Sequence, residues 1–578
     1  MSVSSDHAVA VENSSVWAAY GDALGFMTEL ADSPDRVRAR VGTQTVSRLV
    51  GWKRQIGGRF GVKAELPAGC YSDDTQLRLA TSRAIGADGR FDVEAFSKVE
   101  LPVWLSYALG GGRGTKAAAN ALVARKAGWS TNFFEGASGS YVNGGGNGAA
   151  MRIQPHVWSA REPTDVSVLT DVVRNAVCTH GHARAIAGAA LHAVALGIVL
   201  DRGEALSPDR WLELVSKIEL LPEIIQADDV LRLAWVPMWE RAQRRSLSEC
   251  FAVVADECRL DIAAMTSQLS GLDHYTDLVR GIGASTMATR GSGTKTSLLA
   301  LPLAWWATKV EPSEVLAMAA NVLDSDTDTI ATMAGALIGA SYQHRMFDPP
   351  EPPLDRKLFH TQAMRLSQIA ATGRAKGDFP YPDLLHWTPP RTQTDALGTW
   401  DGEVGVAGLG HAGLVGGPLA GVGAKPALWQ WATLWFGQTA LIKRRPDLPR
   451  LAAMSQPRRV QRPKPGRRGS ARSDNGTPSA REHGDVHVRA ETNVTSRPDE
   501  AAQGLLFEGA PQPSSSAGRG TGLSVEDAFG IAQSRDFAVS AVGSLLLQLA
   551  EQDSGTDLAV AFAALVAHAR RPQVRSRL

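Results

Sequence analysis

Apolar residues recur at spacings of three and four over most of the first 345 residues, which predicts helices. Alternating patterns typical of strands are nearly absent there, and glycine-rich patches at 110–114, 136–148 and 281–293 indicate loops between the helices. The helical windows are 73–85, 92–109, 115–126, 165–178, 183–200, 226–240, 297–308 and 313–322. We therefore expect an all-α domain over residues 13–348.

The pattern changes after residue 349, where prolines accumulate and strand-forming residues follow. Asp401-Gly402 is a dipeptide typical of a tight hairpin turn. The run 428–436 is rich in Trp, Leu and Phe and favours a strand, which 438–442 continues. We interpret residues 349–445 as a small Pro-rich and β-containing appendage.

Residues 446–523 are poor in apolar side chains and rich in Arg, Pro, Ser, Gly and Gln, which predicts a disordered linker. The basic stretch 443–468 suggests contact with a nucleic acid or an acidic partner, but it contains no aromatic side chain to stack on bases. A solvated tether is the simpler interpretation. The helical pattern returns in 524–578 and predicts a helical hairpin, Val525–Ala550 and Asp557–Arg570, that docks, dimerises or binds a partner.

Composition narrows the class of protein without assigning a function. The 578 residues exceed what one hydrophobic core holds, and 60 basic against 59 acidic side chains imply no partner by charge. Four cysteines without a CxxC pair argue against a disulfide scaffold or a zinc knuckle. The start of the chain lacks a targeting pattern, and the apolar stretch Ala185–Leu200 is expected to be a buried helix. We therefore expect a cytoplasmic protein with no membrane partner and leave its oligomeric state open.

Two short acidic clusters carry the strongest chemical signal. Ser72-Asp73-Asp74-Thr75 precedes an apolar helical pattern, so Ser72 is a candidate N-cap and the two aspartates fall in the first turn. The second cluster, 324–329, places three carboxylates within five residues, which is more than capping requires. A cation usually relieves such repulsion, and oxygen ligands without Cys or His favour Mg²⁺ or Mn²⁺ over zinc. Two clusters that face each other would supply enough oxygens for a two-metal site.

Four blocks, in order along the chain, resemble the ADP-ribosylglycohydrolase family, which includes the dinitrogenase reductase-activating glycohydrolases. The resemblance covers about residues 13–345, and the pair Thr179-His180 falls where the family has its T/S-H. The blocks are Gly21-Asp22-Ala23-Leu24-Gly25-Phe26-Met27-Thr28-Glu29, Ser72-Asp73-Asp74-Thr75, Gly146-Asn147-Gly148-Ala149-Ala150-Met151-Arg152 and Asp326-Thr327-Asp328-Thr329-Ile330-Ala331.

The resemblance implies an all-α, ADP-ribosylglycohydrolase-like orthogonal helical domain and assigns roles to the residues of these blocks. Glu29 would lie over the site on a mobile loop, contacting a metal or activating water, and Asp74 would share in catalysis. His180 and the backbone amides of Gly144, Gly145, Gly146 and Asn147 would hold ADP-ribose. The ligands of two Mg²⁺ ions would be Ser72, Asp73, Asp74, Asp326, Asp328 and Thr329.

The family resemblance implies a hydrolase that removes ADP-ribose from a modified macromolecule, with arginine, serine and nucleic-acid linkages all open. Two departures bear on this expectation: Ser72 stands where the family has Thr, and Asp324 stands where it commonly has a small residue. A non-catalytic ADP-ribose-binding module and a metal-dependent hydrolase of another nucleotide-sugar are the alternatives.

Overall fold

The computed structural model of the chain describes residues 5–136, 139–423, 426–457, 523–534, 537, 539–552 and 557–566. Helices dominate up to residue 340, which confirms the all-α prediction for the first domain. They are α1 Ser5–Phe26, α2 Pro34–Val41, α3 Asp73–Ala84, α4 Val93–Ala95, α5 Leu101–Trp104, α6 Arg113–Leu122, α7 Gln154–Trp158, α8 Ser167–Val177, α9 Ala183–Arg202, α10 Val215–Glu219, α11 Leu221–Ala227, α12 Val236–Gln243, α13 Leu247–Gln268, α14 Tyr275–Gly281, α15 Gly293–Trp306, α16 Pro312–Ala320 and α17 Thr327–Ala340.

Helices α1 and α17 pack antiparallel along a stripe of glycines at the centre of the domain. A Cβ on Gly25 would lie 2.3 Å from the Thr327 carbonyl oxygen, and one on Gly335 would lie 2.2 Å from the Trp17 carbonyl oxygen. Only glycine allows two backbones to approach this closely. The stripe therefore fixes the end of α1 beside the start of α17, which is where the second acidic cluster lies.

Helix α9 passes through the core of the domain. It is long and apolar enough to cross a membrane, but 83% of its apolar window is buried inside the protein. Its glycine at position 188 permits close contact with the start of α15, because a Cβ there would meet the Gly293 backbone at 2.2 Å. The expectation of a buried helix over Ala185–Leu200 is confirmed.

Strands occur inside the helical domain, contrary to the expectation that they are nearly absent there. Strands β1 (Trp52–Ile56) and β2 (Val62–Leu66) form an antiparallel hairpin, and β3 (Glu135–Gly136) pairs with β4 (Gly139–Ser140). The first hairpin buries alternate residues such as Trp52 and Leu66, but the pattern is short and charged side chains interrupt it. The hairpin is therefore stabilised mainly by contacts with the rest of the domain, and less by the intrinsic strand propensity of its residues.

The appendage contains helix α18 (Arg356–Thr372) and a five-stranded antiparallel sheet in sequential order. Asp401 and Gly402 both adopt positive φ at the first hairpin, as the turn signal predicts. The strands are β5 Leu397–Trp400, β6 Glu403–Val406, β7 Gly410–Ala420, β8 Leu428–Leu434 and β9 Thr439–Arg444.

The ordered sheet continues past residue 445, where we placed the start of the linker. The Thr399 amide donates to the Pro449 carbonyl at 2.9 Å, and the Leu451 amide donates back to Thr399 at 2.9 Å. The Trp400 indole donates to the Ala452 carbonyl at 3.0 Å. The chain therefore stays with the sheet beyond residue 445, because backbone groups between Pro449 and Ala452 pair with β5. The predicted basic contact region is described only up to residue 457, and the rest of the predicted linker, 458–522, lies outside the described residues.

The C-terminal segment forms three helices where we predicted two: α19 Val525–Ser534, α20 Val539–Ala550 and α21 Asp557–Val566. It contacts the helical domain through charge pairs. Arg174 on α8 lies 3.7 Å from Asp557, and Arg232 lies 2.5 Å from Glu526. Of the alternatives considered for this segment, docking on the main domain is the one that the structure shows.

Candidate active site

The two acidic clusters, far apart in sequence, meet at the N-termini of α3 and α17. The Thr329 hydroxyl donates to Asp74 Oδ1 at 3.4 Å across 255 residues of sequence. Ser72 is the N-cap of α3, and its hydroxyl accepts from the Asp74 amide at 3.2 Å. Helix N-termini carry partial positive charge, so both helix ends favour the carboxylates they present.

Asp22, which we gave no role from the sequence, supports the first cluster from α1. One carboxylate oxygen accepts the Ser72 amide and the other accepts the Thr75 amide, each at 2.9 Å. The residue is completely buried, and burial raises its pKa. Its signal in the sequence is its place in the first resemblance block, directly after Gly21.

Burial next to other carboxylates raises the pKa of every aspartate that we assigned to the metals. Burial, with the charge of Glu29 second, raises the pKa of Asp73 to about 8. Burial raises the pKa of Asp74 well above the usual range, with the charge of Asp22 second, and it raises that of Asp328 likewise, with the charge of Glu29 second. Burial also raises the pKa of Asp326. Each raised pKa reflects the cost of a carboxylate charge in a buried site, a cost that a bound cation would lower.

Glu29 lies in the turn that follows α1 and faces the acidic cluster. Its charge contributes to the raised pKa values of Asp73, Asp326 and Asp328. Its amide donates to the Gly25 carbonyl at 2.9 Å, and its own carbonyl accepts from Arg40 at 2.7 Å. The turn is thus tied to its surroundings, where we expected a mobile loop.

The glycine loop uses most of its amides internally, which differs from the phosphate-binding role that we expected. The Gly144 amide donates to Tyr141 at 3.1 Å, the Gly145 amide to Asn143 at 3.0 Å, and the Asn147 amide to Gly291 at 2.9 Å. Within the described residues, the Gly146 amide has no protein acceptor. It is the one amide of the four that can bind a ligand without rearrangement of the loop.

The side chain of Asn147 joins this loop to the acidic site. Its Nδ2 donates to Asp326 Oδ2 at 3.1 Å. A Cβ on Gly291 would lie 3.2 Å from the same carboxylate oxygen. Asn147 therefore orients a candidate metal ligand from the glycine loop.

His180 lies beneath the loop as a neutral ring. Burial, with the charge of Arg152 second, lowers its pKa to about 3, and its Nδ1 is 2.7 Å from the Thr179 hydroxyl. A Cβ on Gly148 would lie 2.8 Å from the imidazole. Arg152, in the resemblance block but given no role there, donates to the Gly148 carbonyl and the Thr179 hydroxyl, each at 2.8 Å. A buried arginine thus ties the glycine loop to the residue that precedes His180.

Asp324, which stands where the family commonly has a small residue, turns away from the cluster. Its side chain is 46% exposed and lies 3.9 Å from Arg280. The acidic site therefore contains Asp326 and Asp328 from this segment, but not Asp324.

The donor chemistry of the site suits hard cations, although the carboxylates have not converged. Among the described residues, no three His, Cys, Asp or Glu side chains are already arranged to hold a metal ion. Asp74 Oδ2 is buried and has no hydrogen-bond partner among the described residues. A buried carboxylate oxygen without a partner is costly, and a cation among these oxygens would relieve that cost. The residues fit Mg²⁺ by their chemistry.

Comparison with known proteins identifies the family of the chain. The sequence model of the ADP-ribosylglycohydrolase family matches residues 16–350, more than half of the chain. The uncharacterized protein YegU of Escherichia coli (strain K12) is 28% identical over 340 residues, covering 57% of this chain and 87% of YegU. The chain is also similar to a solved structure of an ADP-ribosylglycohydrolase-related protein complex, with 19% sequence identity and a TM-score of 0.39. The aligned region covers 63% of this chain and 99% of the chain in that structure. The family match ends before α18, so the sheet and the C-terminal helices lie outside it.

Proposed function

This chain belongs to the ADP-ribosylglycohydrolase family, and we propose that it is a Mg²⁺-dependent hydrolase that releases ADP-ribose from an ADP-ribosylated macromolecule. Family membership supports a glycohydrolase; the metal, the target and the assignment of roles are our proposal. The contact between Thr329 and Asp74 carries it, because it unites the two oxygen-rich clusters in one buried site. The cleaved bond is the glycosidic bond at the anomeric carbon of the ribose.

Two Mg²⁺ ions, or Mn²⁺ in their place, suit the oxygens of this site. When bound, they supply positive charge that fixes the ribose hydroxyls and polarises water. Burial of several carboxyl groups side by side favours this assignment, since a cation among them offsets the cost of their buried charge. The proposed ligands are Ser72, Asp73, Asp74, Asp326, Asp328 and Thr329.

The protein side chains have separate roles in this proposal. Glu29 takes a proton from the attacking water, or stabilises positive charge on the ribose, because its carboxylate faces the acidic cluster. Asn147 holds Asp326 in orientation. The Gly146 amide and the neutral His180 ring bind the ADP-ribose. Gly146 supports this role because its amide in the glycine loop has no acceptor among the described residues, and His180 supports it because its ring lies directly beneath that loop. Water adds to the anomeric carbon, and the acceptor leaves with a proton.

The acceptor is best identified by turnover of a panel of substrates. Arginine-, serine- and nucleic-acid-linked ADP-ribose share the sugar that the site would bind, so all three belong in the panel. The full-length protein is assayed for release of ADP-ribose with Mg²⁺ and with excess chelator. We expect release from at least one acceptor, and we expect the chelator to abolish it.

Three aspartate variants test the site itself. Asp74→Asn and Asp328→Asn each remove an anion from the buried cluster, and we expect turnover to fall about 100-fold or more. Asp324→Asn is the matched control, because this carboxylate belongs to the same segment but is exposed and turned away. Full activity in chelator, or in both cluster variants, would contradict the proposal. Binding of ADP-ribose without turnover of any acceptor would favour the non-catalytic alternative.

A further inference from the structure

A salt bridge from the β1–β2 hairpin holds the carboxylate of Glu29. Arg54 Nη2 donates to Glu29 Oε2 at 2.6 Å, and Arg54 Nη1 donates to the Phe26 carbonyl at 3.2 Å. The side chains are only 13% and 18% exposed. The pair is therefore largely shielded from solvent, where a charge-assisted hydrogen bond is stronger than at the surface.

The guanidinium of Arg54 is itself held in one orientation. It lies 4.4 Å from the centre of the Phe26 ring and 5.9 Å from that of Trp52, which lies two residues earlier on the same strand. A planar group that stacks on aromatic rings and carries a fixed fork of donors is a property that arginine has and lysine lacks. The direction of the hydrogen bond to Glu29 is thus set before a substrate binds.

The anchored oxygen of Glu29 lies next to the acidic cluster. A Cβ on Gly110 would lie 2.7 Å from Asp73 Oδ1 and 3.7 Å from Glu29 Oε2, so both carboxyl groups lie against the same glycine. Arg54 donates to this Oε2 and thereby fixes the orientation of the Glu29 carboxylate beside Asp73.

The hairpin that carries Arg54 rests in turn on the appendage. The Val422 amide donates to the Phe60 carbonyl at 3.2 Å. At the hairpin turn, Gly57 has φ 83°, and a Cβ there would lie 2.5 Å from the Trp429 ring. The sheet, which lies outside the family match, thus buttresses the element that positions Glu29.

We propose that Arg54 is a positioning residue that keeps the Glu29 carboxylate directed at the reacting centre. This inference rests on the proposed function, in which Glu29 acts on water or on the ribose. Arg54 does not touch the substrate in this proposal; it acts through Glu29. Its loss should therefore lower kcat with little change in KM, since the lost orientation matters chiefly in the transition state.

The test uses the full-length protein and whichever ADP-ribosylated acceptor it cleaves. For Arg54→Met we expect kcat to fall about 30-fold or more, with KM within about threefold of the wild type. Arg54→Lys should recover part of kcat, because it restores the charge without the stacking geometry. Arg59→Met is the matched control on the same hairpin: Arg59 stacks on Phe60, which is 64% exposed, and should leave kcat unchanged.

A double variant shows whether Arg54 acts through Glu29. In the Glu29→Gln background, Arg54→Met should lower kcat by less than about twofold further, because the carboxylate it orients is gone. Independent, multiplicative losses would overturn the proposal, as would full kcat in Arg54→Met. If Arg54→Met does not fold, the Arg54→Lys variant decides: full kcat would overturn the proposal, and a partial loss of kcat would support it. Absence of turnover by the wild type would refute the proposed function instead, so the two failures are distinguishable.

Discussion

Asp355 joins the appendage to the loop that leads into the acidic site, and its removal should weaken both. Its carboxylate accepts from the Tyr71 hydroxyl, the Thr439 amide and the Thr439 hydroxyl, each at 2.7 Å. Tyr71 directly precedes Ser72, the N-cap of α3. Asp355 also adopts a φ of 64°, a left-handed conformation that is unfavourable for a residue with a Cβ.

The substitution Asp355→Gly removes the carboxylate without adding backbone strain. A hydrogen bond to a charged group contributes roughly 1.5–3 kcal/mol, and three that share one carboxylate do not add fully. Glycine gains about 1 kcal/mol at positive φ and loses a similar amount in chain entropy. We therefore expect the free energy of unfolding to fall by about 3 kcal/mol.

Thermal unfolding and turnover measure the two consequences. With an unfolding entropy of roughly 2.1 cal/mol/K per residue, a unit of roughly 500 residues should lose about 3 °C in Tm. Well below Tm, kcat should fall on the order of tenfold, because a loosened Tyr71 releases the loop before Asp73 and Asp74.

Asp401→Gly is the matched control for this prediction. Asp401 also has positive φ, 50°, but it lies exposed at the β5–β6 turn. The same substitution there should leave Tm and kcat unchanged or raise Tm slightly. Equal effects at both positions, or no loss in Asp355→Gly, would refute the role assigned to these hydrogen bonds.

Three further predictions follow from buried groups. Arg83→Met should lower the free energy of unfolding by about 3–5 kcal/mol in denaturant titrations, because it leaves the Glu100 carboxylate buried without its cation; a loss below about 1 kcal/mol would contradict this. Burial and the charge of Asp557 raise the pKa of Glu94 to about 7, so the folded state binds more protons than the unfolded state between about pH 4 and 7. The contribution of Asp557 to this shift exists only while the C-terminal helices are docked, so docking should strengthen from pH 8 to pH 6, seen as slower hydrogen exchange in these helices, and Asp557→Asn should reduce that dependence. Gly148→Ala should lower turnover and cost about 1–3 kcal/mol in denaturant, because its Cβ would meet the buried imidazole beneath the loop; unchanged activity and stability would show that the loop can yield.

Features that depend on neighbouring residues were predictable from the sequence. Ser72 caps α3 with two aspartates in its first turn, because a hydroxyl at that position satisfies free amides within two or three residues. The turn at Asp401-Gly402 follows from the conformations that these two residue types tolerate. The family resemblance placed both acidic clusters at one site, and the contact between Thr329 and Asp74 agrees with it.

Features that depend on distant residues required the tertiary structure. The Arg54 strand carries a short, charge-interrupted pattern, and it becomes a strand where its apolar face packs on the domain. The outward direction of Asp324, which lies beside Arg280 from a distant part of the chain, is visible only in the folded structure. The sequence of the glycine loop predicted four amides free to bind a ligand. In the structure, three of these amides donate to backbone carbonyls, one of them that of Gly291. Residue type sets which hydrogen bonds and charges a side chain can offer, whereas packing against distant segments selects the partner that receives them.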